Sequence, residues 1–346
     1  HLLVVHPVLT EPDLYILLLR LDMDVSRLRR DRGLDDSVHP PNERRLALTA
    51  VLVSVLGFAI VVPFARHPLP KMPAFIPSYE SALAINDLIT AVLLFGQFRW
   101  RRSSALLALA SGYLFDALMI IPHALSFPGV FAPTGLIGGG DQTTAWLYVF
   151  WHAGFPVFVV AYVVLAERNM SGNELLGRSR AAVAASIGGV FAIVCGLTFL
   201  ATAGHDLLPV IIRGGDFSLL VTKGVSPILL ILSFIALLAL WRRRRPAVLD
   251  LWLMVVMCAW VLDVALSAVI GSSRYDLGWY AGRSYGLVAA SFVLAVLLMD
   301  ASGLHSRLAE AKAQIEDYAA RLEQRVRELH AVNDELEAFS YSVSHD

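Results

Sequence analysis

The sequence predicts an all-α membrane protein, in which about eight transmembrane helices are followed by a cytoplasmic parallel coiled-coil helix. Of the 346 residues, 57% are hydrophobic and only 16% are charged, whereas soluble domains carry about 25% charged residues. The apolar residues fall in runs of about 20, the length that crosses a bilayer as a helix. Residues 300–346, in contrast, are charged, lack proline and keep a heptad pattern.

Composition also limits the partners that we expect. The net charge of -1 gives no basic surface for a nucleic acid, so no nucleic-acid partner is predicted. The two cysteines, Cys195 and Cys258, both lie inside apolar runs. They are too few for a disulfide framework and have no metal-ligand spacing, so no metal site is predicted from them.

Residues 1–45 precede the apolar runs and are predicted to form an N-terminal cytoplasmic tail. The chain begins with His1 and its first methionine is Met23. We therefore expect the natural start at or near Met23, with residues 1–22 as a non-native extension. Residues Asp24–Arg45 are polar, basic and rich in turn formers, which is typical of a flexible tail.

Residues 46–300 contain the apolar runs and are predicted to be an eight-helix membrane domain. The runs are Leu46–Ala65, Tyr79–Phe98, Ser103–His123, Thr143–Ala166, Ala181–Ala203, Leu219–Trp241, Ala247–Ile270 and Ala281–Met299. Arginine clusters occur in every second loop, and the loops between them are poor in positive charge. Since loops rich in Lys and Arg stay cytoplasmic, this alternation predicts that both termini are cytoplasmic.

Ionisable residues inside the runs are candidates for function, because each is costly to bury in a membrane. One hypothesis is a ligand or cation pocket in the outer half of the bundle. Its predicted lining is His123, His152, Trp151, Tyr148, Asp87 and Asp116. The alternative is that these side chains form interhelical hydrogen bonds that lock the bundle. Haem ligation by the two histidines is a weaker alternative, and Asp263 has no partner evident in the sequence.

Residues 301–332 are predicted to be a coiled-coil signalling helix. One seam position holds Leu308, Ile315, Leu322, Leu329, Leu336 and Val343. The second seam position holds Leu304, Ala311, Tyr318, Arg325, Val332 and Phe339. Arg325 is the single charged break in this pattern. Heptads sustained over this length predict a parallel two-stranded coiled coil, and therefore a homodimer.

Residues 46–300 resemble the MASE4 family of membrane sensor domains. The resemblance lies in three strings, Gly112–His123, Ser126–Gly138 and Gln142–Pro156, and in N-D-L-I-T-A with Gln97 in the second run. It implies that this part of the chain receives a signal in the bacterial inner membrane. The signal itself, a small molecule or a property of the membrane, is not specified by the resemblance.

Residues 333–346 resemble the start of the dimerisation and phosphoacceptor domain of histidine kinases. The matching string is N-D-E-L-E-A-F-S-Y-S-V-S-H-D. The resemblance implies that His345 accepts a phosphoryl group and that the neighbouring acid, Asp346, activates it. It also implies ATP with Mg as cofactor, bound by a domain outside this chain, and a response regulator as partner. This chain alone is therefore expected to be inactive.

The leading hypothesis is the input half of a two-component sensor histidine kinase, which relays membrane sensing through a dimeric coiled coil to His345. The alternative is a proton- or ligand-coupled membrane transporter with a coiled-coil oligomerisation tail. Intramembrane carboxylates and histidines suit such a carrier. The sequence shows no repeat between its first and last four runs, although many carriers are built from repeats.

Overall fold

The computed structural model describes residues 41–138, 141–168, 179–213, 216–243, 247–271 and 273–345. Of the predicted tail, residues 1–45, the first 40 lie outside this part of the chain, and residues 41–45 are helical. Within it the fold is all-helical. The α-helices are α1 Pro41–Val61, α2 Phe75–Arg101, α3 Ser104–Ser126, α4 Asp141–Glu167, α5 Ser179–Thr202, α6 Ser218–Thr222, α7 Val225–Trp241, α8 Val248–Val264 and α9 Leu277–His345. A π-helical turn, Ala265–Ile270, continues α8.

Seven helices in the described part are long and apolar enough to cross a membrane. They are α1 to α5, α8 with its π-turn, and the first part of α9 up to Met299. The predicted sixth span, Leu219–Trp241, differs from this pattern because it is divided into α6 and α7. Gly224 separates the two helices with φ +76°, a left-handed conformation that favours glycine. The remaining apolar helix, α7, has 17 residues.

The chain between α5 and α8 nevertheless connects opposite ends of the bundle. At one end, the Gln142 side chain at the start of α4 donates a hydrogen bond to the carbonyl of Ile212. At the other end, Arg243 donates a hydrogen bond of 2.9 Å to the hydroxyl of Tyr162, near the end of α4. The segment that contains α6 and α7 therefore runs the length of α4.

One end of the bundle, here named the loop end, consists of residues 62–74, 127–138, 203–213, 271 and 273–276. Backbone hydrogen bonds of 2.9 Å join the first and last of these loops, from Leu69 N to Tyr275 O and from Leu277 N to His67 O. The opposite end, here named the arginine end, contains Arg99, Arg101, Arg102, Arg168, Arg180, Arg242 and Arg243. Arginine is thus more frequent at this end than at the loop end, which has Arg66, Arg213 and Arg274.

Helix α3 lies at the centre of the bundle, and α1 and α5 lie at its edge. In the most apolar window of α3, 72% of the residues are buried, against 6% for α1 and 11% for α5. The edge helices expose large apolar side chains such as Leu52, Ile60, Phe191 and Phe199. A bilayer covers such faces, because lipid tails are as apolar as these side chains.

Helix α9 continues without a break from the membrane domain to the end of the described chain. It contains 69 residues, which at 1.5 Å per residue corresponds to about 100 Å. Its first part packs on α2 and α8, and residues 309–334 are exposed. The predicted boundary at residue 300 is therefore a change of environment within one helix.

Candidate functional site

Two polar pairs join the antiparallel helices α2 and α3. In the outer pair, nearer the loop end, Nδ1 of His123 lies 2.8 Å from Oε1 of Glu80. In the inner pair, the carboxyl groups of Asp87 and Asp116 lie within hydrogen-bonding reach of each other. The two pairs are seven residues apart on both helices, which is two turns or about 10 Å. All four side chains are buried.

Trp151 of α4 contacts both pairs. Its Nε1–H donates a hydrogen bond of 2.5 Å to Oδ1 of Asp116, and its ring centroid lies 5.6 Å from that of His123. Gly154, one turn further along α4, makes this close approach possible, because a methyl group there would lie 2.2 Å from Cε1 of Phe115. Any larger residue at Gly154 would push α4 away from α3.

The second histidine, His152, pairs with Asp263 of α8. Its Nε2 lies 3.3 Å from Oδ2 of Asp263, and its Nδ1 lies 3.0 Å from the carbonyl oxygen of Tyr148. A carbonyl oxygen only accepts, so Nδ1 carries a hydrogen, and a second proton must lie on Nε2 or on Asp263 for that contact to be a hydrogen bond. The imidazole also stacks on the Tyr148 ring at 3.8 Å.

The π-turn after α8 adds a hydroxyl to this group. Ser267 donates a hydrogen bond of 2.8 Å to the carbonyl oxygen of Asp263, and its Oγ lies 3.0 Å from Oδ1 of the same residue. The Tyr148 hydroxyl lies 3.0 Å from Ser267 Oγ. Single π-turns are frequent at functional sites, since they redirect side chains within a helix. Here the turn links α8 to α4.

Helix α9 contributes Arg283, the one buried Lys or Arg among the described residues. Its guanidinium carbon lies 4.0 Å from the Trp279 ring centroid and 5.7 Å from that of Tyr148. Arg283 and Asp263 act electrostatically on the same side chains, Tyr148 and His152, with opposite sign. Arg283 is therefore part of one set of buried and half-buried side chains, here named the buried polar group. Its members are Glu80, Asp87, Asp116, His123, Tyr148, Trp151, His152, Asp263, Ser267 and Arg283.

A small cavity lies beside this group. Its volume is about 30 Å³, more than the roughly 15 Å³ that one water molecule needs. Its polar and aromatic lining includes His123, Tyr148, Ser267, Trp279 and Arg283. Of the six residues predicted to line a pocket, His123 and Tyr148 line this cavity. Trp151, His152, Asp87 and Asp116 belong to the hydrogen-bonded group behind the cavity.

A larger crevice of about 790 Å³ opens among the loops of the loop end. This volume is within the range of small-molecule sites, roughly 300–1,000 Å³. Phe127 and Arg274 line both the crevice and the small cavity, and the Arg274 guanidinium carbon lies 5.1 Å from the Phe127 ring centroid. This pair therefore separates the crevice from the buried polar group.

The structure thus brings the six predicted residues into one contact network, and it adds three that the predicted pocket lining did not include. These are Glu80, Asp263 and Arg283. The equal spacing of Glu80 from Asp87 and of His123 from Asp116 is a signal that the sequence does contain. Arg283 was also detectable, since it lies within the predicted span Ala281–Met299, where a charge marks a functional candidate.

Among the described residues, no group of three or more His, Cys, Asp and Glu side chains could hold a metal ion. Haem ligation by the two histidines is disfavoured by their contacts. Both ring nitrogens of His152 already face protein groups, the Tyr148 carbonyl oxygen and the Asp263 carboxyl, whereas Nδ1 of His123 faces Glu80. An iron ligand would require one ring nitrogen of each to be free and aimed at a common centre.

The arginine end has a polar cluster of its own. Arg243 forms an ion pair with Asp250, and the Tyr162 hydroxyl donates a hydrogen bond of 2.6 Å to Oδ1 of Asp250. Burial opposes the charge of Arg243, but the neighbouring Tyr162 and Asp250 raise its pKa above the ordinary arginine value. The cluster ties the end of α4 to the start of α8.

The predicted phosphoacceptor, His345, is the last residue of α9. Its side chain and the whole of Asp346 lie outside the residues that the structure describes. In the predicted heptad, His345 is two positions after the seam residue Val343, which is a position on the outside of a two-stranded coil.

Comparison with known families gives one match. The family model of MASE4, described as a membrane-associated sensor, integral membrane domain, matches residues 70–304. The match covers α2 to α8 and the start of α9, so it includes every residue of the buried polar group. No curated protein and no solved structure matches the chain.

Proposed function

The chain belongs to the MASE4 family of membrane-associated sensor, integral membrane domains, and on this premise we propose that it is the input half of a two-component sensor histidine kinase. The main support is helix α9. It contains Arg283 of the buried polar group near one end, and the phosphoacceptor-like string 333–346 begins within the same helix. A change at the buried group can therefore reach that string along one element.

In this proposal the protein lies in the bacterial inner membrane with its arginine end in the cytoplasm, as the distribution of Arg favours. The loop end, with its crevice, faces outward and receives a small-molecule or membrane signal. A changed contact between Arg283 and the residues of α4 and α8 then shifts or rotates α9. A continuous helix transmits such a movement, because its backbone hydrogen bonds resist local bending.

We further propose that two copies pair through α9 in a parallel coiled coil. The seam residues Ile315, Leu322 and Leu329 are 68%, 66% and 68% exposed in the single chain. Exposed aliphatic side chains at a regular heptad spacing stabilise a dimer when the same side chains of a second copy bury them. Arg325, also at a seam position, would weaken the coil locally and allow its register to change.

The proposed chemistry is phosphoryl transfer at His345. The neutral imidazole attacks the γ-phosphorus of ATP, the bond to ADP breaks, and a phosphohistidine forms. Asp346 orients the ring and holds the proton that the imidazole releases. The phosphoryl group then passes to an aspartate of a response regulator. ATP and Mg are held by a domain outside this chain, so the chain alone has no kinase activity.

The test is labelling of the full-length gene product with ATP that carries radioactive phosphorus at the γ-position. The wild-type protein and a His330→Gln control should be labelled, and His345→Gln should not. His330 is a matched control because it is an exposed histidine on the same helix. Equal labelling of His345→Gln and wild type, or no labelling of the wild type, would contradict the proposal.

The transporter alternative is less well supported, because the family is described as a sensor. A transport assay in proteoliposomes distinguishes a carrier from a sensor. A carrier would move a solute or protons across the bilayer down a gradient, and the proposed sensor would not.

A further inference from the structure

In the described part of the chain, no positively charged side chain acts electrostatically on the inner pair, Asp87 and Asp116. The neutral groups that bond to it or interact electrostatically with it are the Trp151 indole from α4, Tyr113 from α3 and, for Asp116, Tyr79 from α2. None of these is cationic. Two carboxylates in a membrane interior without a cation are strongly disfavoured, since each loses its hydration and repels the other.

The hydrogen bonds that α5 and α9 make to α2 and α3 also involve neutral groups. The contact from α5 is the Ser186 hydroxyl, which lies 2.5 Å from that of Ser111 on α3. The contact from α9 is the Ser291 hydroxyl, 2.9 Å from the side-chain nitrogen of Asn86 on α2. Neither hydroxyl supplies a positive charge to the two carboxyl groups.

A hydrogen bond between the two carboxyl groups requires a donor. An ionised carboxylate has acceptor atoms only, so a proton must lie on one of the two residues. Trp151 indicates which one. Its indole N–H can only donate, and it donates to Oδ1 of Asp116, which stabilises the negative charge on Asp116. Asp87 is therefore the residue that carries the proton.

The unpaired atoms agree with this assignment. Oδ2 of Asp87 has no hydrogen-bond partner, and neither has the hydroxyl of Tyr113. Asp87 is 2% exposed and Tyr113 is 1% exposed. A bare carbonyl oxygen of a neutral acid costs less free energy than a bare carboxylate oxygen, because it has less hydration to lose.

We propose that the Asp87–Asp116 pair is a proton-binding site inside the membrane domain, which holds one exchangeable proton on Asp87. In the binding step a hydronium ion transfers its proton to the pair and leaves as water, so the charge of the pair changes from -2 to -1. A signalling role for this proton rests on the proposed sensor function, whereas the binding of the proton is independent of that function.

The outer pair provides the connection to the loop end. Glu80 and His123 lie two turns closer to the loop end than the inner pair, and His123 lines the small cavity. Oε2 of Glu80 has no hydrogen-bond partner. Trp151 contacts both pairs, so a change of charge in one pair alters the contacts of the same side chain with the other.

The experiment is infrared spectroscopy of the full chain in lipid nanodiscs at neutral pH, with the C=O stretch of protonated carboxylic acids as the readout. The wild-type protein should show such a band, and the band should shift in deuterium oxide because the proton exchanges. Asp87→Asn should lose it. Asp116→Asn should keep it at a shifted frequency, since a neutral amide oxygen replaces the charged acceptor. The control Asp206→Asn, whose side chain is 91% exposed, should match the wild type.

An unchanged band in Asp87→Asn would overturn the proposal, and so would the absence of a band in the wild type. If Asp87→Asn does not fold, the aspartates of the wild-type protein are labelled with carbon-13 instead. A C=O band that does not shift with this label would also overturn the proposal. The outcome is independent of phosphate labelling at His345, so failure of the proton site and failure of the kinase proposal are told apart.

Discussion

Nε2 of His152 lies 3.3 Å from Oδ2 of Asp263, so two residues that are 111 positions apart form a buried pair between α4 and α8. The pair is shared with α9, because a methyl group added at Gly282 would lie 2.5 Å from Oδ1 of Asp263. Three helices therefore meet at one carboxylate, and the third of them leads out of the membrane domain.

Replacing Asp263 by asparagine should destabilise the membrane domain. The substitution replaces one of the carboxyl oxygens that contact His152 and Ser267, and leaving a buried polar group without its partner typically costs about 1–3 kcal/mol. Thermal unfolding in detergent, followed by tryptophan fluorescence, should show a lower midpoint for Asp263→Asn. Asp206→Asn, at an exposed carboxylate, should unfold like the wild type. An unchanged midpoint for Asp263→Asn would mean that the pair contributes little.

Gly282→Ala should separate α9 from α8. The added methyl group would meet Oδ1 of Asp263 at 2.5 Å and its carbonyl oxygen at 3.1 Å, so the helix must move. The expected result is a lower unfolding midpoint and altered tryptophan fluorescence, since Trp279 lies one turn away on α9. Gly188→Ala is the matched control, because a methyl group at this helical glycine has nothing within 4 Å. Equal midpoints for the two variants would contradict the close approach of α9.

At the arginine end, Asp250→Asn should destabilise the protein more than Tyr162→Phe. Asp250 accepts hydrogen bonds from Arg243 and Tyr162, and from the backbone nitrogen of Ala247. Hydrogen bonds to charged groups contribute about 1.5–3 kcal/mol each. Asp250→Asn removes the charge that all three donors share, whereas Tyr162→Phe removes one donor to Asp250 and one acceptor of Arg243. Unfolding midpoints should therefore follow the order wild type, Tyr162→Phe, Asp250→Asn. A reversed order would show that Tyr162 acts independently of Asp250.

Leu322→Glu should weaken the proposed dimer, because it places a charge in the apolar seam of the coil. Ala320→Glu introduces the same side chain at an exposed position outside the seam and should leave association unchanged. Light scattering of the purified chain measures the mass directly. A monomeric wild type, or equal masses for both variants, would contradict pairing through this seam.

Much of the membrane domain could be predicted from sequence, because apolar runs of the right length and alternating Arg clusters follow directly from the bilayer. The break at Gly224 was less visible, since an isolated glycine in an apolar run is also compatible with one helix. The six candidate residues were found as costly polar groups. Their partners were not, because the pairing of His152 with Asp263 depends on which helices are neighbours, and hydrophobicity does not encode this.

In the proposed mechanism, the buried polar group controls helix α9 beyond the membrane. Hydrogen–deuterium exchange of the backbone amides in residues 309–334 tests it most directly, because this segment begins 26 residues after Arg283, or about 40 Å along the helix. At a temperature below the unfolding midpoint of every variant, Asp263→Asn should change the exchange rates in this segment, and Asp206→Asn should not. Identical exchange in Asp263→Asn and the wild type would contradict the account.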